Sequence, residues 1–351
     1  MIYDLDVWDS NGLLKIDANI KPNLKQEDII ILNAVHEFKY NSLYGNTENI
    51  LDLIDLVKQR NAMLHMITCS HESFRLLEPT SNLRIHFWPE YWATLTFYRL
   101  LVPHNYNPNL ALGLNPEHLE TGKNFPYYKY PFISMNKRPK NHRAIMMDML
   151  AKHDLIDKNA VIWRELSNQY QFRHWKQEIL LLDQLEKFES QERVPTEYVF
   201  SMMQLVPESS EEVFIFSEKT AMPLFFNKPF IVAGCVGYHK ILQEMGFKLY
   251  DELFDYSFDS EPDILTRYEM IAENLKRHVG KSPKELKQLY DSVFEKCMYN
   301  KRIVLRLATD SSLIPEIYTT LVQYQEQNNL ESLPSAINNF IKTKENDYRL
   351  Q

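Results

Sequence analysis

The sequence predicts two α/β domains, each built on a parallel sheet, followed by a helical C-terminal tail. Short β-branched runs alternate with amphipathic stretches, the pattern of strands joined by crossover helices. The alternation stops in a stretch rich in Pro and Asn and then starts again, which marks two sets of elements rather than one. A chain of 351 residues with 44% apolar and 13% aromatic content can fill two cores of ordinary size.

In chain order, 29–32 (IIIL) reads as a strand, and 46–58 as a helix with Ile50, Leu53, Ile54 and Val57 at helical spacing. Strands are expected at 63–68 and 83–88. Residues 103–116 and 121–126 lack any period and read as a linker or long loop. The second half opens with a strand at 130–135 and a helix that sets Ile145, Met146, Met149 and Leu150 on one face. A strand at 160–163, a helix at 172–188 and a strand at 198–205 follow. Next come a strand-like apolar run at 213–216, an apolar turn of helix, and a strand at 229–233 ending at Gly234. A helix at 263–278 carries the stripe Ile264, Tyr268, Ile271 and Leu275. From Ser282 the chain reads as helical, with Pro315 and Pro334 at helix starts. The expected division is 1–120, 121–281 and a helical extension, 282–351.

Composition narrows the function. With eight glycines the chain holds neither G-x-G-x-x-G nor G-x-x-x-x-G-K-[ST], which removes dinucleotide fingerprints and P-loops. Cys69, Cys235 and Cys297 are far apart and form no C-x-x-C, so a zinc ribbon or disulfide framework is not expected and a reducing compartment fits. A net charge of −8 argues against a broad nucleic-acid surface while leaving room for a local basic groove. The start MIYDLDVWDS has no apolar core of a signal peptide, and no apolar run approaches about 18 residues. A cytoplasmic protein without a membrane span is the expectation.

Two clusters carry candidate chemistry. In NKRPKNHR (136–143), just after a predicted strand, Lys137, Arg138, Lys140, His142 and Arg143 crowd a turn shaped by Pro139. Arg138 and Arg143 suit forked hydrogen bonds to a diphosphate, helped by the amides of the next helix; a solvated basic turn is the plainer alternative. In Ser217-Glu218-Lys219, Glu218 suits sugar hydroxyls and Lys219 phosphate charge. The plainer alternative is a helix start, with Ser217 as cap, Glu218 at the positive end and Lys219 in solvent.

The segment SEKTAMPLFFNKPFIVAG resembles the signature of the α-1,3-fucosyltransferases, a T-E-K-like triplet followed by a small-residue helix and a strand ending in P-[VF]-[IV]-x-x-G. It is more similar still to phage and viral glycosyltransferases that share this signature. There, as here, the segment continues into Gly246-Phe247, an acidic aromatic patch (251–259, DELFDYSFD) and a D-x-x-x-R helix (Asp263 to Arg267), and an N-x-R-P-x-x-H-R-like turn precedes it. The resemblance spans about 130–280; Ser217 replaces the usual threonine, and no E-N pair precedes the triplet. It implies a GT-B architecture, two Rossmann-like domains facing across a cleft, with the nucleotide-sugar in the C-terminal domain and the acceptor against the N-terminal one. It implies an inverting transfer without metal or permanently bound cofactor, from a UDP- or GDP-sugar. Ser217, Glu218 and Lys219 would bind the nucleotide, and Arg138 and Arg143 its phosphates. The acceptor would be a modified DNA base in a phage or viral setting (then in the host cytoplasm), or a glycan or protein. A non-catalytic binding module on the same fold is the alternative from another class.

An inverting transfer needs a carboxylate to deprotonate the acceptor hydroxyl. Glu37 and Glu72, each placed after a predicted strand, are the candidates, with Glu90 a third; His36, His71, Trp88 and Glu90 are candidates for the acceptor side. Asp4-Leu5-Asp6 has the form of a metal-binding D-x-D, but its place at the chain start reads as a solvated terminus. Trp88, Tyr91, Trp92, Tyr127, Tyr128 and Tyr130 suit stacking on sugars or bases, although core and loop packing accounts for most such aromatics.

Overall fold

Residues 2–6, 20–34, 46–68, 79–88, 127–136, 140–156, 160–163 and 196–309 are described from a computed structural model. The chain divides into two compact units. Unit 1 takes Met1–Leu95, Val213–Phe216 and Leu307–Gln351; unit 2 takes Thr96–Glu212 and Ser217–Arg306. Both are discontinuous in sequence. The expected linker at 103–116 and 121–126, the helix at 172–188 and the prolines at 315 and 334 lie outside the described residues. No described helix is long and apolar enough to cross a membrane.

In unit 1, β1 (Ile2–Asp6), β2 (Ile29–Ala34), β3 (Met63–Thr68) and β4 (Leu83–Phe87) form a parallel sheet in that spatial order. Parallel neighbours need a crossover. Between β2 and β3 it contains α1 (Asn46–Arg60), whose Leu53, Ile54, Leu56 and Val57 join Ile30, Leu32, Leu64, Met66 and Leu83 in one core. These strand residues alternate along β2 and β3, as one buried sheet face requires. Asn61, at φ 52°, turns the chain out of α1, and the Ala62 amide bonds the Val57 carbonyl at 2.9 Å. The D-x-D segment falls in a strand. Read from the sequence as a solvated terminus, it is part of β1, paired residue for residue with β2 from Ile2↔Ile29 to Asp6↔Asn33. The alternation I-Y-D-L-D is itself a strand pattern.

β3 and β4 also bring two histidines together. His65 Nδ1 lies 2.9 Å from His86 Nε2, with ring planes 10° apart and centroids 5.2 Å apart. That centroid separation equals the nitrogen gap plus the two ring radii, so the rings lie end to end in nearly one plane. They share an N–H···N bond and do not stack. A second proton in the contact would set N–H against N–H. Burial pushes His65 down to about 4, and the neighbouring His86 and Arg84 add to the shift; burial and Arg84 lower His86 as well. The unfolded chain therefore binds more protons than the folded one between about pH 6.5 and about 4. Stability present above pH 6.5 should be lost as pH falls through that window. Urea midpoints of the wild type and His65→Gln across the window check this; the wild type should lose more.

In unit 2, β5 (Tyr130–Asn136), β6 (Ala160–Trp163), β7 (Ser201–Pro207) and β8 (Phe230–Ala233) form a second parallel sheet, ordered β6-β5-β7-β8. From β5 the chain goes to one side for β6 and to the other for β7, so the carboxyl ends of β5 and β7 flank a topological switch point. Every residue of β7 is buried, as expected for a central parallel strand. The helices are α2 (Asn141–Lys152), α3 (Thr196–Val199), α4 (Glu218–Phe225), α5 (Tyr238–Glu244), α6 (Ile264–Lys276) and α7 (Pro283–Thr309). The Tyr290 hydroxyl of α7 donates to the Asn227 carbonyl at 2.8 Å, ahead of β8.

Three expectations change here. The strand expected at 198–205 begins at Ser201, because 196–199 close a helical turn that Ser201 Oγ locks by bonding the Glu197 carbonyl at 2.6 Å. Residues 213–216 are buried and carry no strand assignment in either sheet. On α2 the buried face is Met146, Met147 and Leu150, with Ile145 and Met149 half-buried. His142 and Arg143 turn inward at its first turn and set its rotation.

Candidate functional site

β7 ends at Pro207, and the next residue, Glu208, is fully buried. A buried carboxylate survives only with its lone pairs occupied. Oε2 accepts from the Ser209 amide at 2.6 Å, and Oε1 from the Ser217 amide at 3.2 Å and Thr220 Oγ1 at 2.7 Å. The Ser217 hydroxyl shares its proton between the two oxygens, at 2.8 and 2.6 Å. Tyr238 OH stands 3.3 Å from Oε1 and 2.9 Å from Thr220 Oγ1. Glu208 thereby ties the end of β7 to the start of α4, where Ser217 is the N-cap and accepts from the Lys219 amide at 3.2 Å.

Around this carboxylate the cations of two strand-to-helix turns converge on the bend that follows β7. Lys140 Nζ donates to the Ser209 carbonyl at 2.9 Å, and Arg143 NH2 to the Glu208 carbonyl at 3.2 Å. His142 Nε2 meets the same Glu208 carbonyl at 2.8 Å, while its Nδ1 lies 2.7 Å from Glu211 Oε2. From α4, Lys219 Nζ reaches Ser209 Oγ at 3.0 Å and Glu218 Oε1 at 2.8 Å. α2 adds a helix N-terminus with no side-chain cap and no acidic residue in its first turn. Placing Lys140 and Arg143 at the positive end of a helix opposes its dipole, and an anion there relieves both. The arrangement can hold a polyanion at the carboxyl ends of β5 and β7.

A second carboxylate orders the start of α5. Asp259 accepts from the His239 and Lys240 amides, each at 3.0 Å, and from His239 Nδ1 at 2.8 Å. Burial opposes its charge, but these hydrogen bonds and the imidazole hold its carboxyl below the usual range. His239 Nε2 in turn accepts from the Val232 amide at 3.1 Å, which satisfies a backbone donor of the sheet's end strand and fixes the Nδ1–H tautomer. At Gly234, between β8 and α5, a Cβ would lie 3.0 Å from the Tyr238 ring and 3.3 Å from Val232, so these buried neighbours would have to shift by a few tenths of an ångström. Gly234→Ala should therefore cost about 1–3 kcal/mol, read as a lowered thermal midpoint, because the displaced ring carries the hydroxyl beside Glu208.

Of the expected site residues, the structure brings together Arg143, Ser217, Glu218 and Lys219. Ser217 is 1% exposed and serves as the cap of α4 and as a partner of Glu208. Lys219 is turned onto Glu218 and Ser209, not outward as the helix-cap alternative would have it. Arg138, Glu37, Glu72, His36, His71 and Glu90 lie outside the described residues. Trp88 is described and 1% exposed. Of the tyrosines, Tyr127 is exposed, Tyr130 half-buried, and Tyr128 buried against Tyr290. In the D-x-x-x-R pair, Asp263 caps α6 through Thr266, and Arg267 NH1 bonds the Glu261 and Pro262 carbonyls at 2.6 and 3.2 Å.

Glu208, Glu211 and Ser209 were missed, as were the roles of Lys140 and His142. The available signal was position: P-E-S-S stands where a buried strand ends, and strand ends are where parallel sheets bind ligands. No protein-family model matches the chain, and no curated protein sequence matches it either.

Proposed function

We propose that this chain is a nucleotide-sugar-dependent glycosyltransferase of the GT-B type, with the donor diphosphate seated at the carboxyl ends of β5 and β7. The observation that carries the reading is the convergence of Lys140, His142, Arg143 and Lys219 on one bend, beside the uncapped start of α2. Rigid cations at a strand-end site suit a leaving group whose charge grows as the sugar departs. Glu218, at the first position of α4 and 17% exposed, is the group placed to accept from ribose or sugar hydroxyls.

For the acceptor, a carboxylate from the N-terminal segment would remove the hydroxyl proton. Glu37 follows the end of β2, Glu72 that of β3 and Glu90 that of β4, each by only a few residues. The attack would form the new glycosidic bond, break the bond to the diphosphate and leave both electrons on its oxygen. The modified DNA base stays the first acceptor class to try, followed by glycans and proteins. The test is release of nucleoside diphosphate from a panel of UDP- and GDP-sugars, with and without these acceptors. Calorimetry that detects no nucleotide binding would sink the reading.

A further inference from the structure

We propose that Arg267 and Tyr268, both on α6, form a further phosphate-binding pair at the carboxyl end of β8. α6 packs on α2 and touches β8. Arg267 is 3% exposed and Tyr268 fully buried, so both side chains turn inward from the helix. Their electrostatic neighbours place them beside the strand end. Cys235, two residues past β8, has its thiol pushed up to about 12 by burial, with Asp259 adding to the shift and Arg267 opposing it. Burial likewise pushes the Tyr268 phenol up; Arg267 and Arg143 oppose that shift, and Glu211 and Cys235 add to it. The Tyr268 hydroxyl thus lies among groups from the loops after β7 and β8 and from the start of α2.

Each residue carries a donor that the fold leaves unused. Arg267 NH1 bonds the Glu261 and Pro262 carbonyls and so clamps the turn before α6. That clamp does not use Nε, which is buried and has no hydrogen-bond partner among the described residues. Asp263 feels the charge of Arg267, but its carboxylate accepts from the Thr266 amide at 2.8 Å and the Thr266 hydroxyl at 2.7 Å. The Tyr268 hydroxyl is also buried without a partner among the described residues, and with its ionisation pushed up it keeps a proton to donate. A cation–π contact, 5.6 Å from guanidinium to ring centre, ties the two side chains together. Buried donors without acceptors destabilise a fold, and phenylalanine at 268 would remove one of them. A phosphoryl group, with several acceptor oxygens and full negative charge, supplies what both donors lack.

The pair deepens the glycosyltransferase reading and rests on it for its ligand, the donor diphosphate, which α6 would then hold together with α2 and α4. The experiment is calorimetric titration of the full chain with inorganic pyrophosphate, beside thermal unfolding, for the wild type, Tyr268→Phe and Arg267→Lys. Tyr268→Phe keeps the ring and removes only the orphaned hydroxyl. Its ligand-free thermal midpoint should equal or exceed that of the wild type, while its Kd for pyrophosphate rises roughly tenfold. Arg267→Lys keeps a charge but loses Nε and the planar fork, and should raise Kd by a similar factor or more. A lower midpoint in Tyr268→Phe would show the hydroxyl bonded within the fold and overturns the proposal. Unchanged Kd in either folded variant overturns it as well, as does absence of pyrophosphate binding to the wild type. Weakened pyrophosphate binding in both variants, with no nucleoside diphosphate released from any sugar of the panel, would overturn the glycosyltransferase reading and leave the phosphate pair standing.

Discussion

Replacing Glu208 with alanine is expected to destabilise unit 2 by about 3–5 kcal/mol. The side chain is fully buried and accepts from the amides of Ser209 and Ser217 and the hydroxyls of Ser217 and Thr220, with Tyr238 OH beside it. Each buried donor left without an acceptor costs about 1–3 kcal/mol, but the terms are coupled through one centre, so their sum overstates the loss. Glu208→Gln preserves volume yet presents an NH2 group to donors, and should recover little. Ser217→Ala, which removes a cap and one hydroxyl, sets the lower mark at about 1–2 kcal/mol. Amide exchange in β7 under native conditions measures all three without assuming that the whole chain unfolds in one step. Near-wild-type protection in Glu208→Ala would show that the hydroxyls can satisfy one another.

The largest expected effect on activity comes from Lys219→Ala. Its ammonium reaches Ser209 Oγ at 3.0 Å beside the bend where the other cations converge, and its own amide is held by the cap. Removal of one preorganised charge at a leaving group typically costs about 10²–10³-fold in rate. Nucleoside diphosphate release should fall by that factor in kcat/KM while thermal stability changes little, since the side chain is 23% exposed and its contacts are polar. Loss of the same size in both kcat and kcat/KM would place the effect in the transition state, and a rise in KM alone would place it in ground-state binding.

The fold was readable where a local pattern and the tertiary outcome agree. MLHMIT and AVIW are strands as read, because β-branched or apolar runs between turns suit a buried parallel sheet. The pattern failed where a tertiary bond decides. The run from Tyr198 to Phe200 looks like a strand, but Ser201 Oγ on the Glu197 carbonyl turns it into a helical corner. Residues 213–216 look like a strand too, and nothing in a single run of apolar side chains says whether a ladder partner exists. At the site, the S-E-K triplet and Arg143 were legible as charge beside a strand end. Glu208 was not, since P-E-S-S reads as an ordinary polar turn until the end of β7 is known to lie beneath it. Its burial comes from the meeting of β7, α4 and Tyr238, residues up to 30 apart in sequence.

The interleaving of the two units has a consequence for synthesis on the ribosome. Unit 1 takes chain from both flanks of unit 2, with Leu307–Gln351 arriving after Arg306 has closed unit 2. Domains fold as their residues emerge, so the unit that is started first is the one completed last. The sheet β1–β4 leaves the exit tunnel before the β5–β8 sheet, and residues from Leu307 onward, assigned to the same unit as β1–β4, emerge after both.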